Sequence, residues 1–352
     1  MENFLFNELS INLGLILGSS ALAFLIAILC ANKYTCLLKK FQFGQTIKEE
    51  SMGGTKTPLF NSLHKKKEGT PTMGGVLIWM SVLIVAVLSF ISVEMGITNN
   101  SLINRNETYW PIFTLITCAL LGLVDDVMNV KKIGKTKGLS AITKFTWLTL
   151  FGAFGAYWFH YKLGFDSITL FSNTYTLGWL YIPLFIFVFV GSANAVNITD
   201  GLDGLAAGLI ILAFSVLAIV AYLKGQLILA SFCGVIIGAT AAFLWYNIPP
   251  AKFFMGDTGS LSLGATMAVI SFLTDTVLLL PFIGAIFVIE TLSVIIQIIS
   301  KKLFNKKIFY IAPVHHHFEY IGWPEFKVTM RFWMIGGFIA ALGLILHLAR
   351  LV

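Results

Sequence analysis

Residues 194–225 read NAVNITDGLDGLAAGLIILAFSVLAIVAYLKG, a short polar segment followed by a long apolar one. The apolar part, 204–223, has the length of about 20 residues that an α-helix needs to cross a bilayer. A segment inside the bilayer finds no water for its backbone groups, so it must be helical. The stretch therefore predicts a membrane-spanning helix that follows a loop rich in Asn and Asp.

Apolar segments of similar length recur along the whole chain of 352 residues. The sequence is 57% hydrophobic and only 12% charged, whereas soluble domains carry about 25% charged residues. We therefore predict an all-α integral membrane protein with about ten transmembrane helices, forming a single polytopic membrane domain over residues 1–352. The predicted spans are 11–31, 72–92, 110–125, 144–162, 177–194, 204–223, 227–245, 259–275, 277–299 and 328–349.

The distribution of Lys and Arg predicts the orientation, because cytoplasmic loops of membrane proteins are enriched in these residues. If the ten spans alternate, only Arg105, Lys162, Lys224 and Arg350 of the 24 basic residues lie on one side. We expect the other side to be cytoplasmic and both termini to be periplasmic. The net charge of +7 then reflects loop topology and an anionic substrate, and we expect no nucleic-acid partner.

Five polar clusters fall on the predicted cytoplasmic side, and this convergence indicates an active-site cleft on that face. The clusters are GTPTMGG at 69–75, the pair Asp125–Asp126, the segment 194–204, NIPPAKFFMGDTGS at 247–260, and PVHHHFE at 313–319. An ion-coupled transporter is the alternative from another functional class. It would need access from both faces, and the one-sided pattern argues against it.

The aspartates of these clusters have surroundings that suit a phosphate and a metal ion. Asp125 and Asp126 end a predicted span at its C-terminus, where the helix dipole disfavours negative charge unless a cation offsets it. The loop that follows contains five lysines, among them Lys131 and Lys144. Asp257 directly precedes a span, where helix N–H groups also favour phosphate. Because Mg²⁺ takes one or two carboxylates plus water and phosphate oxygens, we predict Mg²⁺ with Asp257 as its ligand, with plain helix capping as the alternative.

Two segments carry groups suited to a nucleoside. Asn197, Asp200 and Asp203 recur at steps of three in a glycine-punctuated turn, and their side chains supply hydrogen-bond donors and acceptors for a base or a sugar. Phe254 offers a stacking face, with a role as interfacial anchor as the alternative. Thr72 is either a helix cap or a site residue, and Lys67 either reaches phosphate or only enforces topology.

The three consecutive histidines do not suit a zinc site, because neighbouring side chains diverge in a helix or strand and no cysteine is near. Imidazoles donate hydrogen bonds to phosphate oxygens. We expect His315, His316 and His317 to line a pocket for an anionic or peptidic group, with simple solvation in a loop as the alternative. In the ninth span Glu290 is expected either to make structural hydrogen bonds or to support the site, with Gln297 nearer the chemistry.

These stretches, in this order, resemble the signature stretches of the phospho-N-acetylmuramoyl-pentapeptide transferases, a branch of the polyprenyl-phosphate N-acetylhexosamine-1-phosphate transferase superfamily. The Asp pair and the G-D-x-G-S turn are shared by the superfamily, whereas PVHHHFE is specific to the muramoyl branch. The resemblance implies transfer of phospho-N-acetylmuramoyl-pentapeptide from UDP-MurNAc-pentapeptide to undecaprenyl phosphate, with UMP and lipid I as products, at the cytoplasmic face of the bacterial inner membrane. A relative that uses a plain UDP-N-acetylhexosamine is the alternative.

The resemblance also implies roles for individual residues. It assigns Asp257 to Mg²⁺, Lys144 to phosphate, and Asp125 and Asp126 to the neighbourhood of the diphosphate and the lipid phosphate. Positions around the uridine and along the cleft match Asn197, Gly201, Leu202, Asp203, Phe254, Asn247 and Gln297. The histidine motif matches His315, His316 and His317, which gate the cleft.

One departure from the family pattern concerns phosphate binding. The family commonly has a lysine at the position of Asn129, and Lys131 is the candidate to replace it. The resemblance further implies a homodimer in the lipid bilayer. Direct attack by the lipid phosphate and a covalent Asp–phosphosugar intermediate both stay open at this point, as does which Asp of the pair removes a proton.

Overall fold

The structure is a computed structural model that describes residues 2–41, 43–44, 67, 69–105, 107–134, 138–170 and 173–349. Its α-helices are α1 (Glu2–Lys40), α2 (Gly75–Glu94), α3 (Tyr109–Val130), α4 (Ala141–Tyr157), α5 (Tyr181–Thr199), α6 (Leu205–Leu223), α7 (Leu227–Asn247), α8 (Asp257–Leu273), α9 (Leu280–Ile283), α10 (Ala285–Phe304), α11 (Val314–Tyr320) and α12 (Glu325–Ala349). A π-helical turn, Trp158–Lys162, extends α4, and a 3-10 turn, Gly178–Leu180, precedes α5. Between them β1 (Ser167–Leu170) pairs with β2 (Asn173–Thr176) in an antiparallel hairpin.

Seven helices in the described part of the chain are long and apolar enough to cross a membrane. They are Leu9–Lys40, Gly75–Glu94, Tyr109–Val130, Gly178–Thr199, Leu205–Leu223, Leu227–Asn247 and Glu325–Ala349. Each coincides with one of the spans predicted from sequence. The prediction of an all-α, multi-pass membrane protein is therefore confirmed.

The other three predicted spans, 144–162, 259–275 and 277–299, are helical as well but do not belong to this set. Two of the helices concerned, α4 and α8, have 17 residues each. At 1.5 Å per residue they reach roughly 26 Å, somewhat less than the bilayer core. The third region is interrupted at Gly284, between α9 and α10. Membrane crossing by these three regions stays a prediction.

Helix α8 lies at the centre of the fold and is buried along nearly its whole length. It packs mainly against α3 and α5. Small residues permit these contacts, since a β-carbon added at Gly122 of α3 would overlap the backbone of Asp257, and one at Gly264 of α8 would overlap that of Ser192. Small residues at helix contacts are typical of membrane proteins, where backbones approach closely. This packing brings the polar ends of α3, α5 and α8 together.

Helix α1 packs against α7 in the same manner. Ala23, Ala27 and Ala31 form its buried stripe, whereas its apolar residues on the opposite face are exposed. On α7, a β-carbon at Gly238 would overlap the carbonyl oxygen of Ser20. The contact between α1 and α7 therefore depends on close backbone approach.

We expect Gly238→Ala to destabilise the protein, because the added methyl group has no room at this contact. Overpacking of this kind costs about 1–3 kcal/mol, and the readout is the unfolding temperature of the purified protein in detergent. Gly18→Ala is the matched control, since a β-carbon there meets nothing within 4 Å and alanine favours the helix. An unchanged unfolding temperature for Gly238→Ala would show that the helices do not pack this closely.

Candidate active site

The two adjacent aspartates near the end of α3 are both buried but have different partners. Asp126 accepts hydrogen bonds from the backbone N–H groups of Asp257 and Thr258, each at 3.1 Å. These are the first N–H groups of α8, where a carboxylate is favoured by the helix dipole. Both oxygens of Asp126 are therefore used to hold the start of α8, which places the side chain of Asp257.

Gly256 makes this contact possible. Its φ of 75° and ψ of 174° lie in a region that is essentially restricted to glycine. A β-carbon at Gly256 would also collide with the Asp126 carboxylate on one side and the Thr72 hydroxyl on the other. The turn therefore requires glycine, and it brings the buried Thr72 next to the aspartates.

Lys144 of α4 joins the other two carboxylates. Its Nζ lies 2.8 Å from Oδ2 of Asp257 and 3.3 Å from Oδ2 of Asp125. The second oxygen of Asp257 accepts a hydrogen bond from Nδ2 of Asn197 at 2.8 Å, and that of Asp125 accepts one from the Leu139 N–H at 2.6 Å. Lys144 and the three carboxylates together form what we call the aspartate cluster, comprising Asp125, Asp126, Asp257 and Lys144.

Asn129, which stands where the resembled family commonly has a lysine, contacts one of the aspartates. Nδ2 of Asn129 donates to Oδ2 of Asp125 at 3.4 Å, so the amide provides one of the donors around that carboxylate. Lys131 is the exposed residue directly after α3. A phosphate contact by Lys131 stays a prediction.

A second polar group, which we call the Lys67 cluster, consists of Lys67, Asp203 and Glu325. Nζ of Lys67 donates to Oδ1 of Asp203 at 2.8 Å and to Oε1 of Glu325 at 2.5 Å. Burial lowers the pKa of Lys67, but the carboxylates of Glu325 and Asp203 outweigh this and raise it above its usual value. The ammonium is therefore charged at neutral pH, and it lies 5.9 Å from the ring centroid of Phe254.

The turn between α5 and α6 is fixed by backbone contacts. Oδ1 of the buried Asn247 accepts a hydrogen bond from the Gly204 N–H at 2.9 Å, and its Nδ2 donates to the Phe253 carbonyl at 3.0 Å. Leu202, within the turn, is buried. In the same turn, burial and the charge of Asp257 raise the pKa of Asp200 to about 7. Asn247 thus holds the turn that carries the polar residues.

The three histidines lie on a short helix, α11, and not in the loop that the sequence suggested. Successive side chains on a helix diverge by about 100°. His315 is fully buried, with Nδ1 3.0 Å from Oε2 of Glu290, and His316 Nδ1 lies 2.7 Å from Oε2 of Glu319. His317 accepts a hydrogen bond from the backbone N–H of Tyr310 at 3.3 Å, and its imidazole stacks on the Tyr310 ring.

His315 also touches the turn between α5 and α6, since a β-carbon at Gly201 would overlap its imidazole. Glu290 therefore holds the histidine that packs against Gly201. The contacts of Gln297 are with the backbone of another segment. Its amide accepts hydrogen bonds from the Ile308 and Phe309 N–H groups and donates to the Phe309 carbonyl at 2.9 Å, so it fixes the segment that precedes α11.

The structure thus joins Asp125, Asp126, Asp257, Lys144, Asn197 and Thr72 in one group, and Lys67, Asp203 and Phe254 in another. Glu325 was missed by sequence reasoning. Its only signal is an acidic residue in the first turn of an apolar helix, which is ordinary at helix N-termini. Among the described residues, no three His, Cys, Asp or Glu side chains form a group suited to hold a metal by themselves.

Comparisons with known proteins show which family the chain resembles. The family described as glycosyl transferase family 4 matches residues 109–275, and phospho-N-acetylmuramoyl-pentapeptide-transferase signature 1 matches residues 67–78. A phospho-N-acetylmuramoyl-pentapeptide-transferase of Geobacillus thermodenitrificans is 40% identical over 94% of this chain and 97% of its own length. Proteins of the same name from Bacillus subtilis and Oceanobacillus iheyensis are 39% and 40% identical, over 94% and 91% of this chain and 97% and 94% of their own lengths.

We expect Asp126→Asn to lower the unfolding temperature in detergent. The amide nitrogen of asparagine cannot accept a hydrogen bond, so one N–H group of α8 loses its buried partner, at a cost of about 1–3 kcal/mol. Asp166→Asn, in the turn before β1, is the matched control and should leave the temperature unchanged. If both variants unfold at the temperature of the unchanged protein, the capping of α8 by Asp126 contributes nothing to stability.

Proposed function

The chain belongs to the phospho-N-acetylmuramoyl-pentapeptide transferase family, and we propose that its aspartate cluster is the centre at which the family's reaction takes place. The protein transfers phospho-N-acetylmuramoyl-pentapeptide from UDP-MurNAc-pentapeptide to undecaprenyl phosphate. The products are UMP and undecaprenyl-diphospho-MurNAc-pentapeptide, or lipid I, which makes this the first membrane step of peptidoglycan and cell-wall synthesis. The observation that carries the proposal is the bridge from Lys144 to Asp125 and Asp257.

The donor set of the aspartate cluster fits Mg²⁺. Two carboxylates, those of Asp125 and Asp257, lie close enough together to share one ammonium group at 3.3 and 2.8 Å. Mg²⁺ takes one or two carboxylates and completes its shell with water and phosphate oxygens, so it does not need a larger protein cage. Asp257 is the proposed ligand, with Asp125 beside it. When bound, the ion would neutralise charge on the diphosphate.

The phosphoryl transfer needs little from the protein beyond the positioning of the two substrates. An oxygen of undecaprenyl phosphate attacks the phosphorus atom that carries the sugar, and the bond from that phosphorus to the bridging oxygen of UMP breaks. The second pKa of a phosphate monoester is about 6, so the acceptor is largely ionised at pH 7. Both oxygens of Asp126 accept hydrogen bonds from backbone N–H groups of α8, whereas Oδ2 of Asp125 accepts from the side chains of Lys144 and Asn129, which can reorient. We therefore assign removal of any residual proton to Asp125. Lys144 is proposed to contact the phosphates.

The hydrogen bonds of the cluster favour direct attack over a covalent intermediate. Each oxygen of Asp125, Asp126 and Asp257 accepts a hydrogen bond from a backbone N–H, an amide or Lys144. Donors withdraw electron density from a carboxylate and make it a poorer nucleophile. The lipid phosphate is therefore the proposed nucleophile. The aspartates are proposed to balance charge at the site and to position the reacting groups.

The Lys67 cluster is proposed to hold the nucleotide end of the donor. Phe254 offers an aromatic face, and stacking on such faces is worth about 1–3 kcal/mol per base. Lys67 supplies a charged donor above that ring, 5.9 Å from its centroid. Asn197, Asp200, Asp203, Thr72, Gly201, Leu202, Asn247 and Gln297 are proposed to shape the remaining cleft. The helix with His315, His316 and His317 is proposed to face the sugar and peptide.

We further propose that all ten predicted helices span the bacterial inner membrane, with both termini periplasmic and the cleft facing the cytoplasm. The bias of Lys and Arg to one side supports this orientation. The donor is a cytoplasmic nucleotide, which requires the same side. A homodimer is proposed from family membership alone.

The test of the function is release of UMP by the protein purified in detergent, with undecaprenyl phosphate and Mg²⁺ present. UDP-MurNAc-pentapeptide and UDP-GlcNAc are offered in parallel. UMP is expected from the muramoyl donor only. Turnover of UDP-GlcNAc instead would place the protein in a sister branch. If folded protein releases no UMP from either donor, the ion-coupled transporter becomes the leading hypothesis.

We expect Asp257→Ala to lower kcat by roughly 10²–10³-fold, in the range seen when a group that stabilises developing charge is removed. Removal of Mg²⁺ with a chelator should cause a loss of similar size in the unchanged protein and little further loss in the variant. Glu94→Gln, an exposed change at the end of α2, is the control. Equal dependence on Mg²⁺ in both proteins would place the ion elsewhere.

A further inference from the structure

Glu325 lies in the first turn of α12 and outside both ranges matched by the family comparisons. One of its oxygens, Oε1, accepts two hydrogen bonds. The first comes from Nζ of Lys67 at 2.5 Å and the second from the backbone N–H of Asp203 at 2.6 Å. Its side chain is 20% exposed, so these contacts are only partly screened by solvent. A single carboxylate thus connects three segments that are distant in sequence.

Helix α12 also binds the carbonyl group of Asp203. Thr329 lies four residues after Glu325, on the same helix face, and its hydroxyl donates to the Asp203 carbonyl at 3.2 Å. Oδ2 of Asp203 accepts a hydrogen bond from the Ala251 N–H at 3.0 Å. The backbone and the side chain of Asp203 are therefore fixed before any ligand arrives.

The position of the Lys67 ammonium depends on Glu325, although the two residues are far apart in the sequence. A lysine ammonium has three donors, of which Asp203 and Glu325 take two. Within the described part of the chain no other group accepts from the ammonium, and we assign its third N–H to a ligand above the ring of Phe254. Without Glu325 the long side chain keeps one partner and regains much of its rotamer freedom, which for Lys is worth up to about 2 kcal/mol of entropy.

We propose that Glu325 is a positioning residue for donor binding, which fixes the Lys67 ammonium above Phe254 and the Asp203 peptide beside it. The proposal rests on the function proposed above, since it takes the uridine diphosphate part of the donor as the ligand at Phe254. Glu325 acts through Lys67 and Asp203, and the aspartate cluster is held by other elements. Its loss therefore weakens donor binding and leaves the chemical step unchanged.

The test compares steady-state constants for UMP release by Glu325→Gln and by the unchanged protein. Glutamine keeps an oxygen that can accept both hydrogen bonds but lacks the negative charge opposite Lys67. The weakening of this charge-assisted hydrogen bond predicts a rise of roughly five- to tenfold in KM for UDP-MurNAc-pentapeptide. We expect kcat, and KM for undecaprenyl phosphate, to change by less than about threefold, because the loss concerns ground-state and transition-state binding equally. Lys67→Met should raise the donor KM as well, and Glu325→Gln added to it should have a smaller effect than alone.

Glu107→Gln is the matched control, because that carboxylate also accepts a backbone N–H, from Leu229 at 2.9 Å, but at the start of α7. It should leave both KM values unchanged. If Glu325→Gln does not fold, Thr329→Val provides the same test with a smaller expected rise in donor KM.

Two results would overturn the inference. An unchanged donor KM in Glu325→Gln would show that the negative charge of Glu325 does not position Lys67 for donor binding. A loss of kcat together with a rise in both KM values and a lower unfolding temperature would show a general structural role. If the unchanged protein releases no UMP, the function proposed above fails first, and that outcome is separate from the other two.

Discussion

Three carboxylates at converging helix ends, two of them buried and that of Asp257 partly buried, impose the constraint on which the rest of the structure depends. A buried charge is costly unless it is paired and hydrogen-bonded. Here the donors come from the start of α8, from Lys144 on α4, from Asn197 on α5 and from the Leu139 backbone. Four helices must therefore meet at one place, and Gly122 and Gly256 supply the room for it. The close packing of these helices and the geometry of the site therefore depend on each other.

The turn between α5 and α6 links the two polar groups. Asn197, in the last turn of α5, donates to Asp257, and Asp203, six residues later, pairs with Lys67. Gly201 between them lies under the imidazole of His315. A segment of this length has little freedom once three of its positions are held, so the proposed phosphate and nucleotide ends of the cleft keep a fixed separation.

Hydropathy was sufficient for the helices, because each membrane-crossing stretch must bury its own backbone bonds. The meeting of Lys144 with the aspartates could also be predicted, since an uncompensated carboxylate at a helix C-terminus signals a missing cation. Asn197 was expected beside a nucleoside, but it hydrogen-bonds to Asp257. The contacts of Glu325 and Gln297 could not be predicted. Each contact joins residues that only the tertiary fold brings together, and an acid at a helix start or an amide on a helix face looks ordinary in sequence. The direction of each histidine required the local structure, because a loop and a short helix present the triplet differently.

The charges of the two clusters differ in a way that bears on the metal. With all groups ionised, the aspartate cluster has three carboxylates and one ammonium, a formal charge of −2. Such a site repels a diphosphate unless a cation is added, and a divalent ion brings the sum to zero. The burial of the cluster strengthens this requirement, because charges interact more strongly away from water. The Lys67 cluster has two carboxylates and one ammonium, and it faces the uncharged aromatic ring of Phe254, where a base needs hydrogen-bond partners and no metal. The proposed division of the cleft into a metal-binding end and a nucleotide end thus follows from the placement of two lysines among five acids.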